Sequence, residues 1–263
     1  MRHLIIFVIL AFGLLLSPFA QPQSGEKAPN SPDTIFSFVF MTDIHLQPEK
    51  NAVAGFRTAI KKVNELSPDF VITGGDLVMD VLGQSYGRAD TLFNLYSKES
   101  KGFNMPVHNT MGNHENLGWY WKNPSDTLNP DYGKKMFEKR IGKRYYSFTF
   151  KGWHFIILDS VEKEAGEAGY MGGIDETQIS WLKEDLKGLD PGTPIVVAVH
   201  IPFITVFGQL FNGSTYANEP SLVITNSKEV LDLFKGKNLK LILQGHLHYY
   251  EDIFALNTHY ITG

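Results

Sequence analysis

Five short apolar runs in this 263-residue chain each end in an acid, an amide or an imidazole. The residues at those ends are Asp43 with His45, Asp76, Asn113 with His114, His200, and His246 with His248. Five of the nine histidines fall in these blocks, while His108, His154 and His259 stand alone and read as hydrogen-bonded structural residues. An isolated Asp-x-His pair carries little, because so short a pattern arises often by chance. Gly112-Asn113-His114-Glu115 and Gly245-His246-Leu247-His248 weigh more. A given four-residue string is expected on the order of once per 10⁵ positions. Asp43, His45, Asp76, Asn113, His200, His246 and His248 together offer two carboxylates, one amide oxygen and four imidazoles. Such a nitrogen and oxygen set suits borderline or harder divalent metals such as Mn, Fe or Zn. Seven donors are too many for one ion and enough for two, provided one carboxylate bridges. Two ions roughly 3.5–4 Å apart can hold a hydroxide between them and clamp a phosphoryl oxygen. Their positive charge would exceed that of Asp43 and Asp76, so the site would attract phosphate although the chain as a whole carries −4.

The elements that must position these residues alternate between strand and helix. Residues 34–41 (TIFSFVFM) form a β-branched and aromatic run that stops at Thr42-Asp43, as a buried strand entering a loop does. Residues 53–66 carry apolar side chains at helical spacing and are closed by Pro68. Strands are expected over 70–73, 106–110, 194–199 and 239–243, with a helix over 88–97. Lys151-Gly152 reads as the turn of a hairpin joining 145–150 to 153–158. Asp175 with Gln178, and Asn226 with Glu229, look like capping boxes for helices running to about 186 and 234. The pattern is that of an α/β domain, and ligands in such folds gather beyond the carboxyl ends of strands.

The series Asp43-Ile44-His45, Gly75-Asp76, Gly112-Asn113-His114-Glu115, His200 and Gly245-His246-Leu247-His248 resembles the calcineurin-like metallophosphoesterases, with all five blocks in the family's order over residues 35–250. The resemblance implies a four-layer α/β/β/α sandwich, in which two mixed β-sheets pack face to face with helices outside. It implies two divalent or mixed-valence metal ions (Fe, Mn or Zn). Asp43, His45, Asp76 and His248 would hold the first, and Asp76, as the bridge, with Asn113, His200 and His246 would hold the second. His114 matches the family's non-ligand catalytic histidine, with Glu115 placed to orient it. The expected activity is hydrolysis of a phosphodiester or phosphomonoester by a metal-bridging hydroxide. A secreted acid-phosphatase-like phosphomonoesterase is the alternative, ahead of a metal-free binding module on the same fold. The arginines that grip phosphate in Ser/Thr phosphoprotein phosphatases are missing from 77–81 and 116–119, and Met79 stands where purple acid phosphatases place a tyrosine ligand. The paired histidines of 245–248 look more like the cyclic-nucleotide phosphodiesterase branch, whereas Tyr250-Glu251 is reminiscent of the purple acid branch.

Composition agrees with a soluble globular chain: 43% apolar and 20% charged residues, with no basic run suited to a stable nucleic-acid partner. The absence of cysteine excludes disulfides, thiolate nucleophiles and Cys-held metals. Arg2 and His3 precede residues 4–16, an uncharged apolar stretch too short to span a bilayer and ending near small residues at 17–20. Residues 1–20 are therefore expected to be a signal peptide, 21–33 a flexible leader and 34–263 one phosphoesterase domain. Export to the periplasm or surroundings follows, with an uncleaved N-terminal anchor as the alternative. The chain ends at 261–263 inside what reads as a strand, where the family usually has further strands, so a truncated or short member is expected. The aromatics of 118–121 and 203–211 follow ligand blocks; they could stack on a base or sugar, or pack a second layer of the core.

Overall fold

The computed structural model describes residues 8–9, 36–120, 127–165 and 168–263. The expected signal peptide and leader lie outside them, apart from Val8–Ile9 (β1), whose backbone pairs antiparallel with Val39 and Phe40. Among the described residues no helix is long and apolar enough to cross a membrane.

Phe38–Met41 (β2), Phe70–Thr73 (β3) and Val107–His108 (β4) run parallel in one sheet, with Phe38 opposite Phe70 and Met41 opposite Thr73. Every residue of β2 and β3 is buried, which is why both read as unbroken apolar runs rather than alternating ones. Tyr146–Phe150 (β5) and Trp153–Ile157 (β6) make the expected hairpin at one edge of a second sheet. Val161–Lys163 (β7) and Tyr170–Gly172 (β8) form a small separate ribbon. Pro194–Ala198 (β9) and Asn238–Gln244 (β10) continue the second sheet in parallel with β6. Glu251–Ala255 (β11) and Thr258–Thr262 (β12) close it, giving the order β11-β12-β10-β9-β6-β5.

Side-chain alternation sets the layers, since successive residues of a strand face opposite sides. Phe38, Phe40, Phe70 and Ile72 meet Phe155, Ile157, Val196, Ala198, Leu241 and Leu243 from the other sheet. The rings of Phe38 and Phe70 stack at 5.4 Å with an interplanar angle of 1°. The intervening residues Val39, Met41 and Val71 face outward, onto Phe56, Ile60 and Val63 of Ala52–Leu66 (α1) and Leu92 and Phe93 of Tyr86–Glu99 (α2). On the far side Ile156, Ile195, Val197 and Ile242 meet Ile179, Leu182 and Leu186 of Glu176–Lys187 (α4) and Val230 of Ser227–Asp232 (α6). Lys135–Arg140 (α3) and Phe207–Asn212 (α5) complete the helices named here. The result is the four-layer α/β/β/α sandwich. Truncating one of the fully buried phenylalanines between the sheets, such as Phe40, would cost about 3–5 kcal/mol.

Three expectations need correction. The strand of 106–110 shrinks to β4, because Asn109 turns its amide oxygen to accept from Tyr96 Oη at 2.6 Å and Thr73 Oγ1 at 3.2 Å. Asp175 caps α4 by accepting from Gln178 N at 2.8 Å, but the Gln178 side chain does not reach the Asp175 backbone N–H; it donates to the Asp175 carboxylate at 3.2 Å. The same amide brackets the backbone of Asp159, accepting at 3.0 Å and donating at 2.9 Å. Asn226 makes no side-chain cap on α6; it accepts from Ile174 N and donates to Ile174 O, and that helix ends at Asp232.

Candidate metal centre

The parallel strands of both sheets point their carboxyl ends at one place. Asp43 and His45 follow β2, Asp76 follows β3, and Asn113–Glu115 is a 3-10 turn after β4. His200 follows β9, and His246 and His248 follow β10. Backbone bonds stitch the turns together: Asp43 N donates to Gly75 O at 3.1 Å, His45 N to Asp76 O at 2.9 Å and Gly245 N to His200 O at 2.9 Å. Asp43, His45, Asp76, His246 and His248 all have φ between 47° and 75°. That left-handed region costs a non-glycine residue roughly 1–2 kcal/mol. Five such residues at one site mean that their surroundings over-determine them, as happens where function holds the backbone.

The glycines of the motifs answer a need for space. Gly75, at φ 91°, lies under the His200 ring, and a Cβ there would stand 2.6 Å from Nδ1. A Cβ at Gly112 would collide with Oδ1 and the backbone nitrogen of Asp76.

Two clusters result. In the first, Nε2 of His45 and Nε2 of His248 face each other at 2.9 Å, and Asp43 Oδ1 lies 3.1 Å from the latter. In the second, His200 Nε2 is 2.9 Å from Asn113 Oδ1 and 3.2 Å from Asp76 Oδ1, with the His246 ring 5.1 Å from that of His200. Asp76 joins them: its other oxygen, Oδ2, faces His45 Nε2 at 3.7 Å. Asp43, His45 and His248, and likewise Asp76, His200 and His246, bring their ligand atoms within 4.8 Å of one another. His45, Asp76 and His114 make a third such group.

Ring orientations follow from hydrogen bonds. His200 Nδ1 donates to Gly74 O at 2.8 Å and His246 Nε2 to Ser221 O at 2.9 Å, so the other nitrogen of each is free to bind. His45 Nδ1 is buried and has no partner among the described residues. Asp43 accepts from Thr42 Oγ1 at 2.6 Å and from the His246 backbone N–H. Burial works to raise the Asp43 and Asp76 carboxyls but is outweighed by the neighbouring histidines, chiefly His248 at Asp43 and His114 and His200 at Asp76. Burial brings His45 and His246 down to about 4, keeping both neutral, the form that binds metal. At His200 burial opposes protonation, yet the Asp76 charge lifts it to about 9. Two buried carboxylates and a set of imidazoles, of which His45 and His246 are held neutral, form a donor set that fits divalent cations.

Glu115 does not orient His114. Its carboxylate accepts from Gly112 N at 2.7 Å, Asp76 N at 3.1 Å and Val78 N at 3.1 Å, tying the Asp76 turn to the 3-10 turn. Burial and the Asp76 charge push it up to about 8, against the pull of those donors. His114 is oriented by Asp80, whose backbone N–H donates to its Nδ1 at 3.0 Å. An N–H can only donate, so neutral His114 carries its proton on Nε2, 3.7 Å from Asp76 Oδ2. The aromatic loops divide. Trp119 and Phe203 are buried core, whereas Phe211 is 65% exposed beside Phe207 and Tyr249; Trp121 lies outside the described residues.

Strands of two packed sheets that deliver carboxylates and imidazoles to one point define a metal-dependent hydrolase of phosphate esters. The family described as calcineurin-like phosphoesterase matches residues 36–250, and the chain belongs to it. Its fold is similar to a dimetal phosphatase from Danio rerio, at 17% identity and a TM-score of 0.62, covering 87% of each chain. It is similar also to phosphopantetheinyl hydrolase from Mycobacterium tuberculosis (14%, TM-score 0.51, 86% of this chain and 87% of that one). GAP50, the anchor in the inner membrane complex of Plasmodium, shares the fold at 16% identity and a TM-score of 0.52, over 86% of this chain and 70% of its own. No curated protein matches the sequence.

Proposed function

We propose that this protein is an exported phosphoesterase with two metal ions, hydrolysing a phosphodiester or phosphomonoester of small size. Asp43, His45, Asp76 and His248 would hold one ion, and Asp76, Asn113, His200 and His246 the other. The observation that carries this is the division of Asp76: one oxygen stands 3.2 Å from His200 and the other 3.7 Å from His45. Bound there, two divalent cations supply Lewis-acid charge for a phosphoryl oxygen and lower the pKa of water toward neutrality. The rest falls to the chain. Asp76 and Asp43 fix the spacing of the donors, and Glu115 fixes Asp76. His114, with 21% of its side chain exposed, turns its Nε2–H toward the site; once the ring takes up a proton at Nδ1 in place of the Asp80 bond, the imidazolium would give the Nε2 proton to the departing oxygen as general acid and return to neutral. Every one of the seven donors is present, which favours an enzyme over an anchor-type relative that merely shares the fold. The basic, then apolar, residues 2–16 support export.

The test combines elemental analysis with a panel of p-nitrophenyl mono- and diesters and cyclic nucleotides. Near two metal equivalents, hydrolysis abolished by chelation and its return on adding Mn²⁺ are expected. Activity that survives exhaustive chelation, with no metal left, would overturn the proposal.

A further inference from the structure

Tyr170 sits in β8 and presents its ring edge-on to His246, with centroids 5.9 Å apart and an interplanar angle of 83°. The ring is held firmly. It packs on the cluster of Leu82, Trp119, Val161 and Ile201, the last being the residue after His200. The ribbon that carries it is pinned to the segment that orients His246: Gly172 N donates to Pro220 O at 2.7 Å, and Ser221 O receives His246 Nε2. Yet its hydroxyl has no hydrogen-bond partner among the described residues. The residue is half-buried and its hydroxyl is open to solvent, where a ligand can reach it. The edge-on contact with the His246 ring sets the side chain beside the second cluster. Among the described residues no lysine or arginine forms an ion pair with Asp43, Asp76 or Asp80, and 77–81 and 116–119 contain no arginine. Some other donor must hold the phosphoryl oxygens that face away from the metals.

We propose that Tyr170 is a substrate-contacting residue whose hydroxyl donates a hydrogen bond to a non-bridging phosphoryl oxygen. This deepens the phosphoesterase reading and rests on it. A neutral donor suits the site, because it adds no charge beside the ligands and can act on mono- and diesters alike. It also explains the rigid mounting of the ring, since a donor is useful only where its oxygen is fixed in advance.

Tyr170→Phe keeps the ring and removes the hydroxyl. On metal-loaded protein, calorimetric binding of inorganic phosphate should weaken roughly tenfold or more, the usual effect of losing a hydrogen bond to a charged group. The value of kcat/KM on whichever ester proves active should fall in step. Metal content and melting temperature should stay as in the wild type. Unchanged phosphate affinity overturns the inference, and so does loss of a metal equivalent, which would make Tyr170 a ligand. Should Tyr170→Phe fail to fold, nitration of Tyr170 in the wild type, followed by mass spectrometry, decides: phosphate should slow it, and indifference to phosphate refutes the contact. A wild-type protein that binds no metal sinks the phosphoesterase reading and this inference together. One that binds metal and phosphate, with Tyr170→Phe equal to it, sinks the inference alone.

Discussion

His114→Ala separates proton donation from metal holding more sharply than any other change at the site. His114 Nδ1 accepts the Asp80 N–H at 3.0 Å, which leaves the mobile proton on Nε2 facing the space between the clusters. Removing the ring deletes a donor while leaving the seven proposed ligands intact. General acid catalysis is worth typically ~10²–10⁴-fold, equivalent to about 2.7–5.5 kcal/mol of barrier. The full loss should appear only when the leaving group is a poor one, such as an alkoxide. A nitrophenolate departs as a stabilised anion and needs little help, so p-nitrophenyl esters should slow far less. The assay compares kcat on an alkyl or nucleoside ester and on its p-nitrophenyl counterpart, with metal content measured on the same preparations. Equal slowing of both substrates, or loss of metal with the ring, would refute the assignment. Loss of metal would make His114 a ligand of the third His45, Asp76 and His114 group, and equal slowing with metals retained would make it a phosphate-orienting group.

Asp76→Asn should weaken both metals and remove activity on every substrate alike, because both carboxylate oxygens face donors; elemental analysis showing two retained metals would contradict the bridge. Glu115→Ala strips the acceptor from three backbone N–H groups in a fully buried place, at ~1–3 kcal/mol each, so a denaturant midpoint close to wild type would refute its role as a clamp. Burial works to raise Asp185, but hydrogen bonds from His154 at 2.8 Å and Ser147 hold its carboxyl below the usual range. A depressed carboxyl stabilises the fold above its unfolded pKa of ~3.9, and that share is lost as pH falls through the folded value, so Asp185→Asn should flatten the acid limb of a stability profile below about pH 5.

The candidate site was legible because metal chemistry demands particular residue types at strand ends, and residue type survives in a sequence. The sheets were legible for a related reason. Strands buried on both faces, such as β2 and β3, leave apolar runs that stop abruptly at the first polar residue. Long-range use of a polar side chain leaves no such trace. Glu115 in a four-residue motif looks like a partner for its neighbour His114, yet it serves backbone donors at 76 and 78. Asn226 has the composition of a cap and spends both ends of its amide on Ile174 instead. Nothing in 203–211 distinguishes buried Phe203 from exposed Phe211, because helical and extended segments of that length share the same apolar density. The three-residue ribbon bearing Tyr170 is too short for any periodicity to show.

The backbone conformation of the ligand turns was the least visible feature, and it ties the others together. A sequence reader expects glycine or asparagine where φ is positive. Here Asp43, His45, Asp76, His246 and His248 take that conformation although each is also a proposed ligand. The constraint is geometric. Strands from two sheets end around one small volume, and a side chain leaving an extended residue would point along the pleat into the core instead of over the strand end. Turning the chain left-handed at the ligand itself aims the side chain across the mouth. The resulting strain is met by local bonds: Glu115 to the Asp76 turn, Thr42 and the His246 N–H to Asp43, and Asp76 Oδ1 to the His114 N–H. The flanking glycines then give way where no Cβ can fit, Gly75 under His200 and Gly112 against Asp76. Each motif therefore joins one residue that reaches inward to another that must yield space, which is why the blocks are short and why their spacing along the chain matters less than their place at the strand ends.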